Sequence, residues 1–322
     1  MSAAIETRGI AKRYGSHVAL QDLTFAVGPG QIVGVLGPNG AGKTTAMRIL
    51  TTILEPDAGS FSVAGIDGSE PAKIRARVGV LPESAGYPER QRAEEYLRFH
   101  ARLFGHSAAS ARAVAQDLLE EVGLAERAGS PIATYSRGMR QRLGIARALV
   151  NEPAVVFLDE PTLGLDPAGQ REILAKVRAM ASERGAAVLL STHLLDEVEE
   201  NCSSVLILNR GRVVAEGSVT EIARRAAAPR RARIRVPPEH VERATAVLGA
   251  APSVQQVTRS DGAAGWIALQ LAAAAPGSGT PALNGAVRVL LDAGVPLVAS
   301  ELEGARLSDA FLAMTEEPSD ER

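Results

Sequence analysis

Residues 37–45 read GPNGAGKTT, directly after the apolar run QIVGVLG (31–37) and directly before AMRILTTIL (46–54), a segment that reads as a helix. Spaced G-x-x-x-x-G-K-[ST] between a strand and a helix, Gly37, Gly40 and Gly42 let the backbone curl until successive N–H groups face one anion at the positive end of the helix. Pro38, Asn39 and Ala41 complete the cradle. Lys43 is placed to reach β- and γ-phosphates, the Thr44 hydroxyl to ligate Mg²⁺, and Thr45 to hold the α-phosphate side, because phosphoryl transfer is catalysed mostly by positioning and charge neutralisation. A glycine-rich turn could match by chance. Yet only four lysines stand against 31 arginines in the chain, and one of the four fills the single position that demands lysine.

Strand-like runs GQIVGVLG, RVGVLP, AVVFLD, AAVLLST and SVLILN are short, nearly continuous and apolar, which suits strands covered on both faces, and helical segments fall between them. A parallel α/β core follows. Ahead of it, AIETRGIAKRYG and HVALQDLTFAVGPG read as an antiparallel pair joined at a glycine turn, and from Pro88 to Val122 the pattern is helical. After Ile222 the texture changes: RRAAAPRRARIR carries six arginines and no acid, then PP interrupts any helix. The domains predicted are a nucleotide-binding domain over 1–225 with a helical subdomain at about 84–150, a linker over 226–238, and an accessory domain over 239–322, with 232 as the alternative start of its first strand. Within the last, the order strand (233–236), helix (239–248), strand (254–259), strand (266–271), helix (281–293), strand (296–300) and closing helix (307–314) resembles a βαββαβ sandwich, with LAAAAPGSGTP as a surface loop.

The 322 residues are 46% apolar and carry a net charge of −2. This balance gives no global push towards nucleic acid, and no nucleic-acid partner is expected. No run approaches the roughly 18 uncharged apolar residues of a membrane span, and the first fifteen residues lack the apolar region of a signal peptide, so the expected location is cytoplasmic. Cys202 is the only cysteine, which reads as a packing residue near a helix end.

About a hundred residues beyond the phosphate loop stands ATYSRGMRQRLGIARALVNEPAVVFLDEPTLGLDPAG (133–169). This block resembles the nucleotide-binding domain of ATP-binding cassette (ABC) transporters, with Tyr135-Ser136-Arg137-Gly138-Met139 in the position of the family's L-S-G-G-Q signature. Ser136 and Gly138 keep the family's residues at the start of the helix read over Arg140–Leu149; Tyr135, Arg137 and Met139 depart from them. The resemblance implies a fold, a P-loop ABC ATPase core in which a parallel sheet is joined by an antiparallel β subdomain and a helical subdomain, with a small C-terminal α+β accessory domain. It implies ATP and Mg²⁺ as cofactors and, because one domain cannot easily bring both anion sites to one nucleotide, a second copy of the chain in a head-to-tail dimer.

Further roles follow from the same resemblance. Asp159 would hold Mg²⁺ through water, Glu160 would polarise the attacking water, and His193 would hydrogen-bond the γ-phosphate beside it. Asp166 takes the position of the loop that communicates across the dimer, and Tyr14 that of the aromatic stacked on adenine. Glu83 stands where most of the family has glutamine, and an oxygen ligand to Mg²⁺ is still expected from it. His17, His100, His106 and His240 match nothing. RLSDAFLAMTEE near the end resembles the closing helix of the accessory domain in daunorubicin-resistance-type exporter ATPases. The function implied is an ATP-hydrolysing subunit that powers a separate integral-membrane permease in an exporter of drug-like or lipid-like molecules, docked through the helical insert (Tyr87–Arg102) and peripheral on the inner face of the cell membrane. The alternative is a soluble ABC ATPase acting on ribosomes or nucleic acid without a permease.

Overall fold

The computed structural model describes residues 3–84, 86–225, 231–259, 265–272, 282–303 and 307–315. Alternation of apolar and polar side chains begins it: β1 (Ile5–Tyr14) and β2 (His17–Val27) pair antiparallel from Ile5↔Val27 to Tyr14↔His17. Gly15, at φ 60°, makes the left-handed turn between them. All five residues of β3 (Ile32–Leu36) are buried, and α1 (Lys43–Leu50) follows the phosphate loop. β4 (Ala58–Val63) and β5 (Ile66–Asp67) join the hairpin in the order β2-β1-β4-β5. Through α2 (Pro71–Arg75) the chain reaches β6 (Val78–Leu81).

The insert follows as α3 (Ala93–Leu103), α4 (Ala108–Glu121) and α5 (Arg137–Leu149), which pack on one another, with α5 also against β6. α5 begins at Arg137, three residues before the position expected from sequence. Its start is set by Ser136, whose hydroxyl accepts the Met139 N–H at 3.2 Å and so caps the helix. The remaining elements are β7 (Val155–Asp159), α6 (Pro167–Ser182), β8 (Ala187–Ser191), α7 (Leu195–Asn201), β9 (Ser204–Asn209), β10 (Arg212–Ser218) and α8 (Val219–Arg225). They complete a sheet of order β10-β9-β3-β8-β7-β6, parallel except for β10. Leu20, Leu23 and Phe61 of the antiparallel sheet, Ile49 and Leu50 of α1, and Phe157, Leu189 and Leu206 of the parallel sheet share one buried cluster. Burying a side chain of this kind contributes about 1.5–3 kcal/mol, so α1 and the loop ahead of it are held from both sheets.

The described residues divide into two compact units, one up to Ile222 and one from Ala223 to Ala313. The second contains β11 (Arg231–Arg235), α9 (Val241–Gly249), β12 (Val254–Arg259), β13 (Trp266–Leu271), α10 (Ala282–Asp292) and β14 (Ala299–Glu303), and α11 (Leu307–Thr315) follows. Its sheet, β12-β13-β11-β14, is antiparallel throughout, the arrangement of a split βαββαβ motif. Val241, Ala244 and Leu248 of α9 and Ala286 and Leu290 of α10 share a core with Ile234, Ile267 and Leu269 of the sheet. β11 begins two residues before the strand expected over 233–236 and runs within the stretch given as linker, 226–238; Ala232, Ile234 and, just beyond it, Val236 alternate inward and are buried. The strand expected over 296–300 pairs at 299–303 instead, since Pro296 has no N–H to give a ladder. Residues 226–230 of the arginine run and 273–281 of LAAAAPGSGTP lie outside the described residues. Among the described residues no helix is long and apolar enough to cross a membrane.

Candidate functional site

β3, β8 and β7 lie side by side, and the turns leaving them carry the phosphate loop, His193 and the Asp159–Glu160 pair. Ligands of parallel α/β sheets collect at such strand ends. A cavity of about 500 Å³ forms there, lined by the loop from Asn39 to Thr45, by Asp159, Glu160, Glu83 and His193, and by Tyr14 and His17 from the hairpin.

Sterics select the glycines of the loop. Gly42 caps α1 at φ 107°, and a Cβ there would lie 2.7 Å from the Ala19 carbonyl oxygen; one on Gly37 would lie 2.4 Å from that of Leu208. The Lys43 ammonium donates to the carbonyls of Gly37 (2.6 Å) and Pro38 (3.3 Å). Burial lowers its pKa, and the carboxylates of Glu160, Asp159 and Glu83 pull it back upwards.

Asp159 ends β7 in register with Ser191 of β8. The Ser191 hydroxyl donates to one of its carboxylate oxygens at 2.5 Å, and the Thr44 hydroxyl reaches the other at 3.5 Å. Glu160 follows in the left-handed region at φ 50°, its N–H donating to the Ser191 carbonyl at 3.0 Å. Its Oε2 sits 2.9 Å from Nδ1 of His193. Burial raises the Glu160 pKa, opposed by the hydrogen bond and charge of His193 and by Lys43. His193 is itself held from behind: the hydroxyl of fully buried Thr192 donates to Glu197 (3.0 Å) and accepts the Leu194 N–H (3.1 Å), which fixes the turn that carries the histidine.

Ser136, Gly138 and Asp166 line a different cavity, of about 480 Å³, together with Arg137, Gly164 and Leu165. The two cavities share no lining residue. Asp166 caps α6 by accepting the Gly169 N–H at 3.1 Å, as Ser136 caps α5, so this wall is built from two helix starts. Tyr135 is buried away from it and donates to the Arg127 carbonyl at 2.8 Å.

Sequence reasoning overlooked His17 and Ser191. The first had a signal: flanking a two-residue turn, His17 must pair across the hairpin with Tyr14 and point to the same cavity. Ser191 had none, because only the pairing of β7 with β8 brings it to Asp159. Cys202, expected as packing, is buried beside Gly34, and burial pushes its thiol pKa up to about 12.

Comparison with known proteins gives this geometry its relatives. Residues 20–163 match the ABC transporter family model. The daunorubicin resistance ATP-binding protein DrrA3 of Streptomyces coeruleorubidus is 38% identical over 97% of this chain and 96% of its own length. The Nod factor export ATP-binding protein I of Paraburkholderia xenovorans is 42% identical over 67% of this chain and 71% of its own. Among solved structures, the ATP binding subunit of an ABC transporter superposes with a TM-score of 0.63 at 35% identity, covering 69% of this chain and 92% of that one. With a relative aligned along nearly its whole length, this chain belongs to the ABC transporter family as one of its ATP-binding, ATP-hydrolysing subunits.

Proposed function

We propose that the chain powers a separate membrane permease in an exporter of drug-like or lipid-like molecules, with ATP held in the Lys43 cavity and completed by a second copy of the chain. The observation that carries this reading is the split site: phosphate-loop and hydrolytic residues line one cavity, while the signature residues line another that has no wall in common with it. Two copies placed head to tail bring each signature cavity to the other's nucleotide. Similarity to a daunorubicin resistance ATP-binding protein and to a Nod factor export ATP-binding protein supports export, and similarity to the ATP binding subunit of an ABC transporter supports a partner chain.

In this reading the residues divide the work. Backbone N–H groups of Gly40 to Thr45 and the Lys43 ammonium hold the phosphates, and Tyr14 offers its ring to adenine. Thr44, Asp159 and Glu83 would hold Mg²⁺. Their oxygens suit a hard cation, and a metal bound mainly by substrate phosphates and water needs no protein cage; among the described residues no group of three or more His, Cys, Asp or Glu forms one. When bound, the ion neutralises charge on the β- and γ-phosphates. Glu160 accepts the proton of the attacking water. While Glu160 is ionised, Nδ1 of His193 carries the proton of their shared hydrogen bond, which orients the carboxylate. Ser136 and Gly138 approach the γ-phosphate from the second copy, and Asp166 carries the contact between copies.

The permease docks on the helical insert. Tyr87, half-buried, turns inward and donates to the Arg140 carbonyl at 2.8 Å, which leaves the apolar face formed by Phe99, Leu103 and Phe104, all exposed, as the docking patch. Such a patch marks an interaction surface. The chain then sits peripherally on the inner face of the cell membrane. The test is affinity purification of tagged Glu160→Gln protein from native membranes in mild detergent with ATP and Mg²⁺. Recovery of one polytopic membrane protein is expected; recovery alone, or with ribosomes or DNA, overturns the permease reading.

A further inference from the structure

Arg137 occupies the third position of the signature, where the family carries glycine, and the roles above leave it without a task. It is exposed, and among the described residues its guanidinium has no hydrogen-bond or ion-pair partner. Its place is nevertheless well defined. A Cβ built on Gly164 would lie 2.5 Å from Cζ of Arg137, 2.6 Å from Nη1 and 2.8 Å from Nε, so three guanidinium atoms crowd that glycine. Gly164 is also in the left-handed region at φ 72°, two independent reasons for a residue without a side chain. The charged group therefore rests on the loop that leads to Asp166, on the wall of the cavity that Ser136 and Gly138 share. The neighbouring cation there, Arg142, is already paired with Glu172 at 3.7 Å.

A guanidinium offers five N–H donors in a planar fork that matches phosphate, and an unpaired one on an exposed wall is a cation awaiting an anion. The Ser136 oxygen is committed as acceptor to the Met139 N–H, so without Arg137 this wall would offer the phosphate little beyond that hydroxyl's own hydrogen and backbone N–H groups. We infer that Arg137 is a phosphate ligand supplied in trans: it binds the terminal phosphate of the ATP held in the Lys43 cavity of a second copy, and Gly164 is the seat that aims it. The inference rests on the head-to-tail pairing proposed above.

The test uses the full chain in the Glu160→Gln background, which slows hydrolysis, and follows ATP-dependent dimerisation by analytical ultracentrifugation alongside nucleotide binding to the monomer at dilution. Arg137→Ala is expected to weaken dimerisation at least tenfold while monomer affinity for ATP stays the same, because the side chain lies outside its own chain's nucleotide cavity. Arg137→Lys should restore part of the loss, since it keeps the charge without the fork, and raising the salt should narrow the gap between Arg137 and Ala. Gly164→Ala, which unseats the guanidinium without removing its charge, should weaken dimerisation in the same direction. If Arg137→Ala dimerises as tightly as its parent, the inference is wrong while the pairing stands. If the parent itself shows no ATP-dependent dimer, the pairing and the inference fall together.

Discussion

At Glu160 two influences oppose each other: burial raises the carboxyl pKa and the hydrogen bond from His193 lowers it. A general base works only when ionised, so activity falls as pH drops through this pKa, and a raised value moves the acid limb of the rate profile upwards. Removing the imidazole leaves burial less opposed. His193→Ala is therefore expected to lower kcat by about a hundredfold and to shift the acid limb of the remaining activity to higher pH. A pH–rate profile of the variant checks this, and an unmoved limb would show that Glu160 does not feel the histidine. Gly42 is the second residue on which the site turns. In Gly42→Ala the left-handed backbone costs about 1–3 kcal/mol, and the methyl group meets the Ala19 carbonyl 2.7 Å away. ATP affinity should fall by at least roughly tenfold in a calorimetric titration; an unchanged value would mean that the loop can accept a side chain.

Helix starts do double service at the next scale. Ser136 caps α5 and Asp166 caps α6, and both face the signature cavity, so a stability effect and a functional effect are entangled at each. Ser136→Asp separates them. Aspartate is as good a cap as serine, so thermal stability should change by less than about 0.5 kcal/mol, whereas a carboxylate facing a phosphate repels it. Wild-type melting together with loss of ATP-dependent dimerisation is the expected outcome, and retained dimerisation would place the phosphate elsewhere. The cap also explains why α5 begins three residues ahead of the start the sequence suggests: Gly138 looks like a helix breaker in sequence, but an N-terminal turn tolerates glycine when a side-chain oxygen satisfies the free N–H groups.

Across the whole molecule, the ATP site and the proposed docking patch occupy different elements, strand ends for the first and α3 for the second. Activity and assembly should therefore be separable. The double variant Phe99→Glu, Leu103→Glu replaces exposed side chains, so basal ATPase activity and folding should be close to wild type while a membrane partner no longer copurifies. Unchanged copurification would move the docking surface away from α3.

Much of this was legible in the linear chain. The phosphate loop, the Asp159–Glu160 pair and the order of strands and helices follow from local spacing, because a strand, a glycine-rich turn and a helix start each have a short-range signature in glycine, apolar period and hydroxyl placement. The accessory βαββαβ order was readable for the same reason, its first strand included, while the ends of β11 are set by its pairing with β13 and β14. Tertiary structure alone decided what meets what. Ser191 reaches Asp159, His193 reaches Glu160, His17 joins Tyr14 at the nucleotide cavity, and Arg137 rests on Gly164 because strands and helices distant in sequence are brought into register by burial of their apolar faces, a long-range condition that no local pattern encodes.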